Sequence, residues 1–170
     1  MTDRLPRGPR KAGSADRVRA YLAEHRLADR VIAFSESTKT AQMAAGAVGS
    51  ELGQIVKSLV AVGGDGRAAL ALVAGDRRAD LAAIGEATGM SGVRMANADE
   101  VREATGYAIG GVCPFDLPAG LPVLVDESFG RFQLVYSAAG TPNSVVPLSL
   151  AELLSLSGGR IARISREASG

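Results

Sequence analysis

One lysine lies inside an apolar segment whose residue pattern is typical of a β-strand. Lys57 is in the middle of the run Gln54–Val62, and strand alternation puts Ile55 and Leu59 on its face. A lysine there either points to solvent, with its stem along apolar surface, or enters a pocket where its charge needs an anionic partner. The pattern leaves both alternatives open, and the second makes Lys57 a candidate anion-binding residue.

A loop with paired glycines is the second candidate. Gly110 and Gly111 would let a ligand approach the backbone closely, and Pro114 would stiffen the segment. Backbone N–H groups exposed in such a loop can polarise a carbonyl or hold a phosphate or hydroxyl oxygen. The alternative is an ordinary junction between a strand and a loop.

The chain offers few other groups for catalysis. Its one histidine is His25 and its one cysteine is Cys113, so a Cys-rich zinc site and any mechanism with two imidazoles are excluded. A Cys–His dyad would join residues 88 positions apart, and nothing in the sequence lowers the pKa of the thiol. A nucleophile-elbow motif for a Ser–His–Asp triad is also lacking. We therefore expect a site without a metal or other cofactor.

Short elements separated by many turns would position these groups. The runs Gln54–Val62 and Ala68–Ala74 flank a Gly-Asp cluster that lacks the spacing of a phosphate-binding loop, which predicts a β-hairpin. Other predicted strands are Val31–Phe34, Tyr107–Val112, Val123–Asp126, Phe132–Ala138, Val145–Leu148 and Ile161–Ile164. The pattern indicates a mixed sheet or small barrel with helices outside it, and not a regular βαβ alternation.

Helix boundaries are signalled by capping residues and glycines. The predicted N-caps are Ser14, Thr40, Asn97 and Ser149, and a further helix is predicted over Asp80–Thr88. The predicted helix ends are Gly49, Gly106 and Gly158. The inward residues should be Val18, Tyr21, Leu22 and His25 in the first helix and Met43, Ala44, Ala47 and Val48 in the second. Residues 114–122 are expected to form a long loop.

Composition fits one globular domain. The chain has 170 residues, 46% of them hydrophobic and 22% charged, and shows neither a signal-peptide pattern nor a membrane-length apolar run. Residues 1–20 hold six arginines and lysines against two aspartates, so the other 150 residues carry a net charge of −3 within a total of +1. We expect a disordered basic tail over residues 1–13, a single domain over residues 14–170, and a cytoplasmic location.

Several segments together resemble a known family. The first half of the chain contributes Thr38–Thr40 with Ala44-Ala45, the run from Gln54 to Leu59, and Gly75–Asp80. The second half contributes Thr105–Pro114, Val125–Glu127 and Ala139–Asn143. In this order and spacing, over about residues 17–165, they resemble the YbaK/prolyl-tRNA synthetase editing-domain family of aminoacyl-tRNA deacylases.

The resemblance implies a fold and an activity. The implied fold is α/β (α+β), with a mixed, barrel-like β-sheet surrounded by short helices. The implied activity is trans-editing, the hydrolysis of the ester of a mischarged tRNA, such as Cys-tRNA(Pro) or another small amino acid on tRNA. The family needs neither a metal nor a protein nucleophile, since water, a ribose hydroxyl or the substrate's own side chain attacks. The alternative from another class is a non-catalytic module that binds tRNA or a synthetase.

The resemblance also assigns site residues and partners. It places catalysis on Lys57, which would hold a phosphate or the aminoacyl end, and on backbone N–H groups of the loop containing Gly110, Gly111 and Pro114. The expected substrate-binding residues are Thr40, Ser58, Val112, Cys113, Asp126 and Gly140. Asp126 would orient an ammonium or ribose hydroxyl, or else is simply a turn residue at a strand end. The expected partners are the 3′ aminoacyl end of mischarged tRNA and, second, prolyl-tRNA synthetase; no membrane is expected.

Three departures from the family pattern concern the amino-acid preference. Cys113 stands where relatives usually have a small or polar residue such as Ser or Pro, and Asp116 replaces the glycine often found two residues after the loop proline. Asn143 stands where a histidine is frequent.

Overall fold

The computed structural model describes residues 13–168, which form five α-helices and ten strands. The predicted basic tail therefore lies, except for Gly13, outside the described residues. The helices are α1 (Ser14–Glu24), α2 (Ala41–Val48), α3 (Leu81–Thr88), α4 (Ala98–Thr105) and α5 (Leu150–Ser157). The strands are β1 (Ile32–Ala33), β2 (Val56–Val62), β3 (Ala68–Ala74), β4 (Arg77–Ala79), β5 (Arg94–Met95), β6 (Val123–Asp126), β7 (Val135–Ala138), β8 (Ser144–Leu148), β9 (Arg160–Ala162) and β10 (Ser165–Glu167).

The central sheet has five strands in the order β5-β2-β3-β6-β9. The predicted hairpin is confirmed: β2 and β3 pair antiparallel from Val56 with Ala74 to Val62 with Ala68. Strand β6 then pairs parallel to β3, and β9 pairs parallel to β6. This mixture of parallel and antiparallel pairs, with five short helices, confirms the predicted mixed α/β class.

Two smaller sheets flank the central one. Strands β1, β8 and β7 form an antiparallel sheet, and β10 pairs antiparallel with β4 as a two-stranded ribbon. A single parallel bridge between Ile55 and Tyr136 connects the start of β2 with β7. Strand β5 pairs only with Ala61 and Val62, so the first half of β2 has an edge that β5 leaves uncovered.

The main core lies between the central sheet, α1 and the loop after α4. Val18 and Leu22 of α1 are fully buried, in agreement with the predicted inward face, whereas His25 is exposed. In the loop, Tyr107 and Phe115 are fully buried, and the Tyr107 hydroxyl donates to the Phe115 carbonyl at 2.6 Å. This internal bond fixes the loop against the core. None of the helices in residues 13–168 is both long and apolar enough to cross a bilayer.

Three of the four predicted N-caps are confirmed, and one is wrong. Thr40, Asn97 and Ser149 each accept a backbone N–H three residues later, at 3.1, 2.9 and 3.1 Å. Ser14 is instead the first residue of α1, with Gly13 in the capping position.

The predicted inward face of α2 is also partly wrong. Met43 is 52% exposed and Ala47 is exposed, while Ala44 and Ala45 pack against Ile55 and Val145. The buried side of α2 is instead formed by Ala44 and Ala45, with Val48 partly buried beside them.

The predicted strand Tyr107–Val112 is wrong, because this segment is an irregular loop. Its bulky first residue, Tyr107, is buried in the main core, and the Tyr107 hydroxyl donates to the Phe115 carbonyl of the same loop. The predicted strand Phe132–Ala138 begins only at Val135, because a 3-10 segment over Glu127–Arg131 precedes it. The last predicted strand, Ile161–Ile164, is observed as β9 over Arg160–Ala162.

Candidate active site

A cleft lies along the uncovered edge of β2. Two adjoining hollows form it, of about 320 and 400 Å³, and they share Thr38, Lys39, Gly110 and Ala138. The walls are the segment before α2, the start of β2, the glycine loop and the β7–β8 sheet. The predicted residues that line the cleft are Thr40, Lys57, Ser58, Gly110, Gly111, Val112, Cys113 and Gly140.

Hydrogen bonds hold the walls of the cleft in place. The Thr38 N–H donates to the Pro142 carbonyl at 2.7 Å, which ties the segment before α2 to the β7–β8 turn. Gly140 in that turn has φ +97°, and a Cβ there would lie 2.8 Å from the Cβ of Val18. The turn therefore requires glycine both for its left-handed backbone and for its contact with α1.

The edge of β2 presents backbone polar groups to the cleft. In an antiparallel pair, alternate residues bond to one neighbour and the intervening ones face the other side. The Ile55 carbonyl accepts from Gly75 on the β3 side, whereas the Val60 carbonyl accepts from Ala96 on the opposite side. Ser58 is two positions before Val60, so its N–H and carbonyl point to the same edge as those of Val60, away from β3 and toward the cleft.

Lys57 has a half-buried ammonium with capacity to bind an anion. Its Nζ donates to the Arg77 carbonyl at 2.6 Å, and among residues 13–168 no carboxylate lies within ion-pair distance of it. Desolvation lowers the pKa of Lys57, the charge of Asp76 opposes this, and that of Arg78 adds to it. Asp76 is itself held by Arg131 through two bonds of 2.9 Å. Two of the three ammonium protons of Lys57 remain for a ligand.

The glycine loop offers fewer donors than the sequence suggests. The Gly111 N–H already donates to the Ala108 carbonyl at 2.9 Å, and Pro114 is buried and has no N–H. The N–H groups of Gly110, Val112 and Cys113 have no acceptor within the described part of the chain. Gly110 has φ +82° and open space around it, so a ligand can approach its backbone.

Cys113 is a protonated residue in the cleft wall. Its side chain is 1% exposed, and burial raises the pKa of the thiol to about 12, against the lowering effects of the Gly140 N–H and of Arg17. A thiol with that pKa is almost entirely protonated at neutral pH, so it is a poor nucleophile. His25 is exposed, its Nδ1 lies 2.8 Å from the Tyr21 carbonyl, and it is absent from the cleft lining. The Cys–His dyad is therefore not assembled.

Asp126 lies away from the cleft, at the buried end of β6. Its carboxylate accepts from the Ser128 N–H at 3.1 Å, the Ile164 N–H at 3.0 Å and the Ser165 hydroxyl at 2.7 Å. Burial acts to raise its pKa, but these hydrogen bonds lower the pKa overall. Arg77 Nε donates to the Ser165 hydroxyl at 2.6 Å and lies 4.0 Å from the carboxylate. Asp126 thus helps to hold β4, whose Arg77 carbonyl receives Lys57.

Comparison with known proteins assigns the family. The chain matches the aminoacyl-tRNA editing domain over residues 35–156. The chain belongs to this family. It is 32% identical over 124 residues to the multifunctional Ser/Thr-tRNA deacylase ProXp-y of Escherichia coli, covering 71% of this chain and 74% of ProXp-y. It is 29% identical over 133 residues to EbsC of Enterococcus faecalis, provisionally named a Cys-tRNA(Pro)/Cys-tRNA(Cys) deacylase, covering 78% of this chain and 81% of EbsC.

A solved structure agrees with this assignment. A crystal structure provisionally described as a trans-editing enzyme for prolyl-tRNA synthetase is 41% identical, with a TM-score of 0.80. The match covers 92% of this chain and 99% of that one. The editing-domain fold expected from the resemblance is therefore confirmed.

Sequence reasoning missed several residues of the editing-domain cleft. Lys39, Tyr136 and Ala138 line it but were not predicted as site residues. Lys39 could have been found, because it is one of three lysines and lies between two threonines of a matching segment. The β7 residues had no such signal, because their position depends on how two sheets meet.

Proposed function

We propose that this cleft is the catalytic site for hydrolysing the ester that joins an amino acid to the 3′ end of a tRNA. The chain is an aminoacyl-tRNA deacylase of the editing family, and its substrate is mischarged aminoacyl-tRNA. The site assignment depends on one observation: Lys57, the β2 edge and the unpaired loop N–H groups surround the same cleft. A non-catalytic binding module is not favoured, since related chains are named deacylases.

Loop N–H groups stabilise the charge that develops on the ester carbonyl. When a nucleophile attacks, the carbonyl oxygen becomes negative, and preorganised N–H donors lower the energy of that state. Gly110, Val112 and Cys113 are the donors with free capacity in the loop, whereas Gly111 is already bonded to Ala108. Pro114 contributes stiffness and not a donor.

Lys57 binds an anionic group next to the ester. Its ammonium is fixed by the Arg77 carbonyl, and within residues 13–168 no carboxylate competes for it, so a terminal phosphate or the developing oxyanion can take its free protons. The substrate's own ammonium needs an acceptor in turn. The Ser58 carbonyl on the β2 edge meets that need better than Asp126, whose carboxylate is buried with three donors of its own.

The attacking group comes from outside the protein. Cys113 is held protonated by burial, and no histidine lines the cleft. Water, a ribose hydroxyl or the substrate's side chain therefore attacks, with the tRNA and the backbone orienting it. A Cys113 thiol at the wall makes a small, moderately apolar pocket that suits Cys, Ala or Ser as the bound amino acid.

A deacylation panel tests this function. We would charge tRNA(Pro) with Cys, Ala, Ser or Pro and follow ester loss with and without the protein, with K57A as the inactive variant and R102Q as an exposed control. Faster loss of at least one non-cognate ester, abolished by K57A only, supports the proposal. Spontaneous rates for every ester would refute it. Addition of prolyl-tRNA synthetase in parallel tests the proposed second partner, and the cytoplasmic location stays a prediction.

A further inference from the structure

The ribbon beside the cleft carries two arginines directly opposite each other. In the β4–β10 pair, Arg78 faces Arg166 in register. Arg77, the next residue, turns inward to the Ser165 hydroxyl, so strand alternation sends Arg78 and Arg166 to the outer face. Both are exposed. Directly opposed residues have Cβ atoms about 4.5–5.5 Å apart, so these two long cationic side chains start from neighbouring points on the exposed face.

This arrangement is unfavourable for the protein alone. Like charges directly opposite each other destabilise a strand pair. Within residues 13–168, neither Arg78 nor Arg166 has an ion-pair partner, whereas Arg30, Arg67 and Arg94 each contact a carboxylate. The ribbon therefore holds a doubled positive charge that an external anion would neutralise.

The charge pair is continuous with the cleft. Lys57, at the cleft, donates to the carbonyl of Arg77, which is adjacent to Arg78 in the chain. The charge of Arg78 is also close enough to lower the pKa of Lys57. The cation row therefore consists of Lys57 at the cleft and the neighbouring Arg78–Arg166 pair on the outer face of the ribbon.

We propose that Arg78 and Arg166 bind the phosphate backbone of the tRNA acceptor end while its 3′ ester lies in the cleft. The inference rests on the function proposed above, because that function makes RNA the polyanion. Single-stranded RNA fits a narrow row of cations, since successive phosphates follow one another along one strand. Outside residues 1–20 the chain carries a net charge of −3, so this row is a local feature and not part of a broad basic face.

Steady-state kinetics with mischarged tRNA test the contact. The double variant R78Q/R166Q removes the two ribbon arginines of the row. R26Q/R102Q removes two other exposed arginines, one in the turn after α1 and one on α4, and is the matched control for net charge. Each exposed phosphate contact should contribute about threefold, so KM should rise on the order of tenfold for R78Q/R166Q, with kcat unchanged. The slope of log KM against log salt should fall by about 1.4, because each contact to a single strand contributes roughly 0.7. The control should change neither quantity.

A stability measurement tests the repulsion between Arg78 and Arg166 independently. The single variant R78E places a carboxylate opposite Arg166, so its urea midpoint should rise above that of the wild type while its tRNA binding weakens. A residue with a purely structural role would lose stability and binding together.

The outcomes separate this inference from the proposed function. Unchanged KM and salt slope in R78Q/R166Q, with wild-type turnover intact, would overturn the ribbon contact alone. If no charged tRNA is hydrolysed by the wild type, the proposed function fails, and filter binding of uncharged tRNA at several salt concentrations then tests the ribbon directly. Equal binding by R78Q/R166Q and R26Q/R102Q in that assay would also refute it.

Discussion

Replacing Lys57 by methionine should abolish most of the activity at a small cost in stability. The substitution keeps most of the stem and removes only the ammonium, which donates to the Arg77 carbonyl at 2.6 Å. A hydrogen bond to a charged group has a net worth of about 1.5–3 kcal/mol, and the desolvation that lowers the Lys57 pKa offsets part of it. We therefore expect the free energy of unfolding to fall by about 1 kcal/mol.

The expected loss in catalysis is larger. Removing one preorganised group that stabilises developing negative charge costs a factor of about 10²–10³, or roughly 2.7–4 kcal/mol. Single-turnover deacylation measures this directly, and urea unfolding of the same sample reports the fold. K57R should also be impaired, because a planar guanidinium does not fit the position of a compact ammonium against the Arg77 carbonyl. A folded K57M protein that hydrolyses the ester at the wild-type rate would refute the assignment of Lys57.

Three further predictions concern the walls of the cleft and its support. C113S should keep turnover with a changed preference among amino acids, and mass spectrometry should find no thioester, because burial keeps the thiol protonated; loss of turnover in C113S would contradict this. G140A should lower the free energy of unfolding by about 2 kcal/mol or more, since it forces a Cβ against Val18 and strains a left-handed residue, as a urea titration would show. D126N should lower the free energy of unfolding by about 1–3 kcal/mol at neutral pH. The NH₂ group of asparagine cannot accept from the N–H and O–H groups that bond to the carboxylate. The pKa of Asp126 is lowered by folding, so its contribution is present above the unfolded pKa of about 3.9 and is lost as pH falls through the folded value. The stability difference between D126N and wild type should therefore shrink in acid, and a constant difference from pH 7 to pH 3 would contradict the reasoning.

Local sequence signals determined much of the framework. The β2–β3 hairpin follows from two apolar runs around a glycine-rich turn, and the caps Thr40, Asn97 and Ser149 follow from short-range hydrogen bonding. These features depend on residues a few positions apart, so the sequence alone specifies them. The ordered set of motifs likewise indicates the family without any tertiary information.

Tertiary structure decided what each group in those motifs contacts. The sequence placed Lys57 in an apolar strand, but only the tertiary fold brings the Arg77 carbonyl of β4 to its ammonium. Asp126 ends a strand within the matching segment Val125–Glu127, yet the fold gives its carboxylate three donors from Ser128, Ile164 and Ser165 and keeps it out of the cleft. The pairing of Arg78 with Arg166 joins residues far apart in the chain, and no local pattern could reveal it. Such contacts depend on strand register and sheet order, which are set by burial of the whole core and not by the neighbours of any one residue.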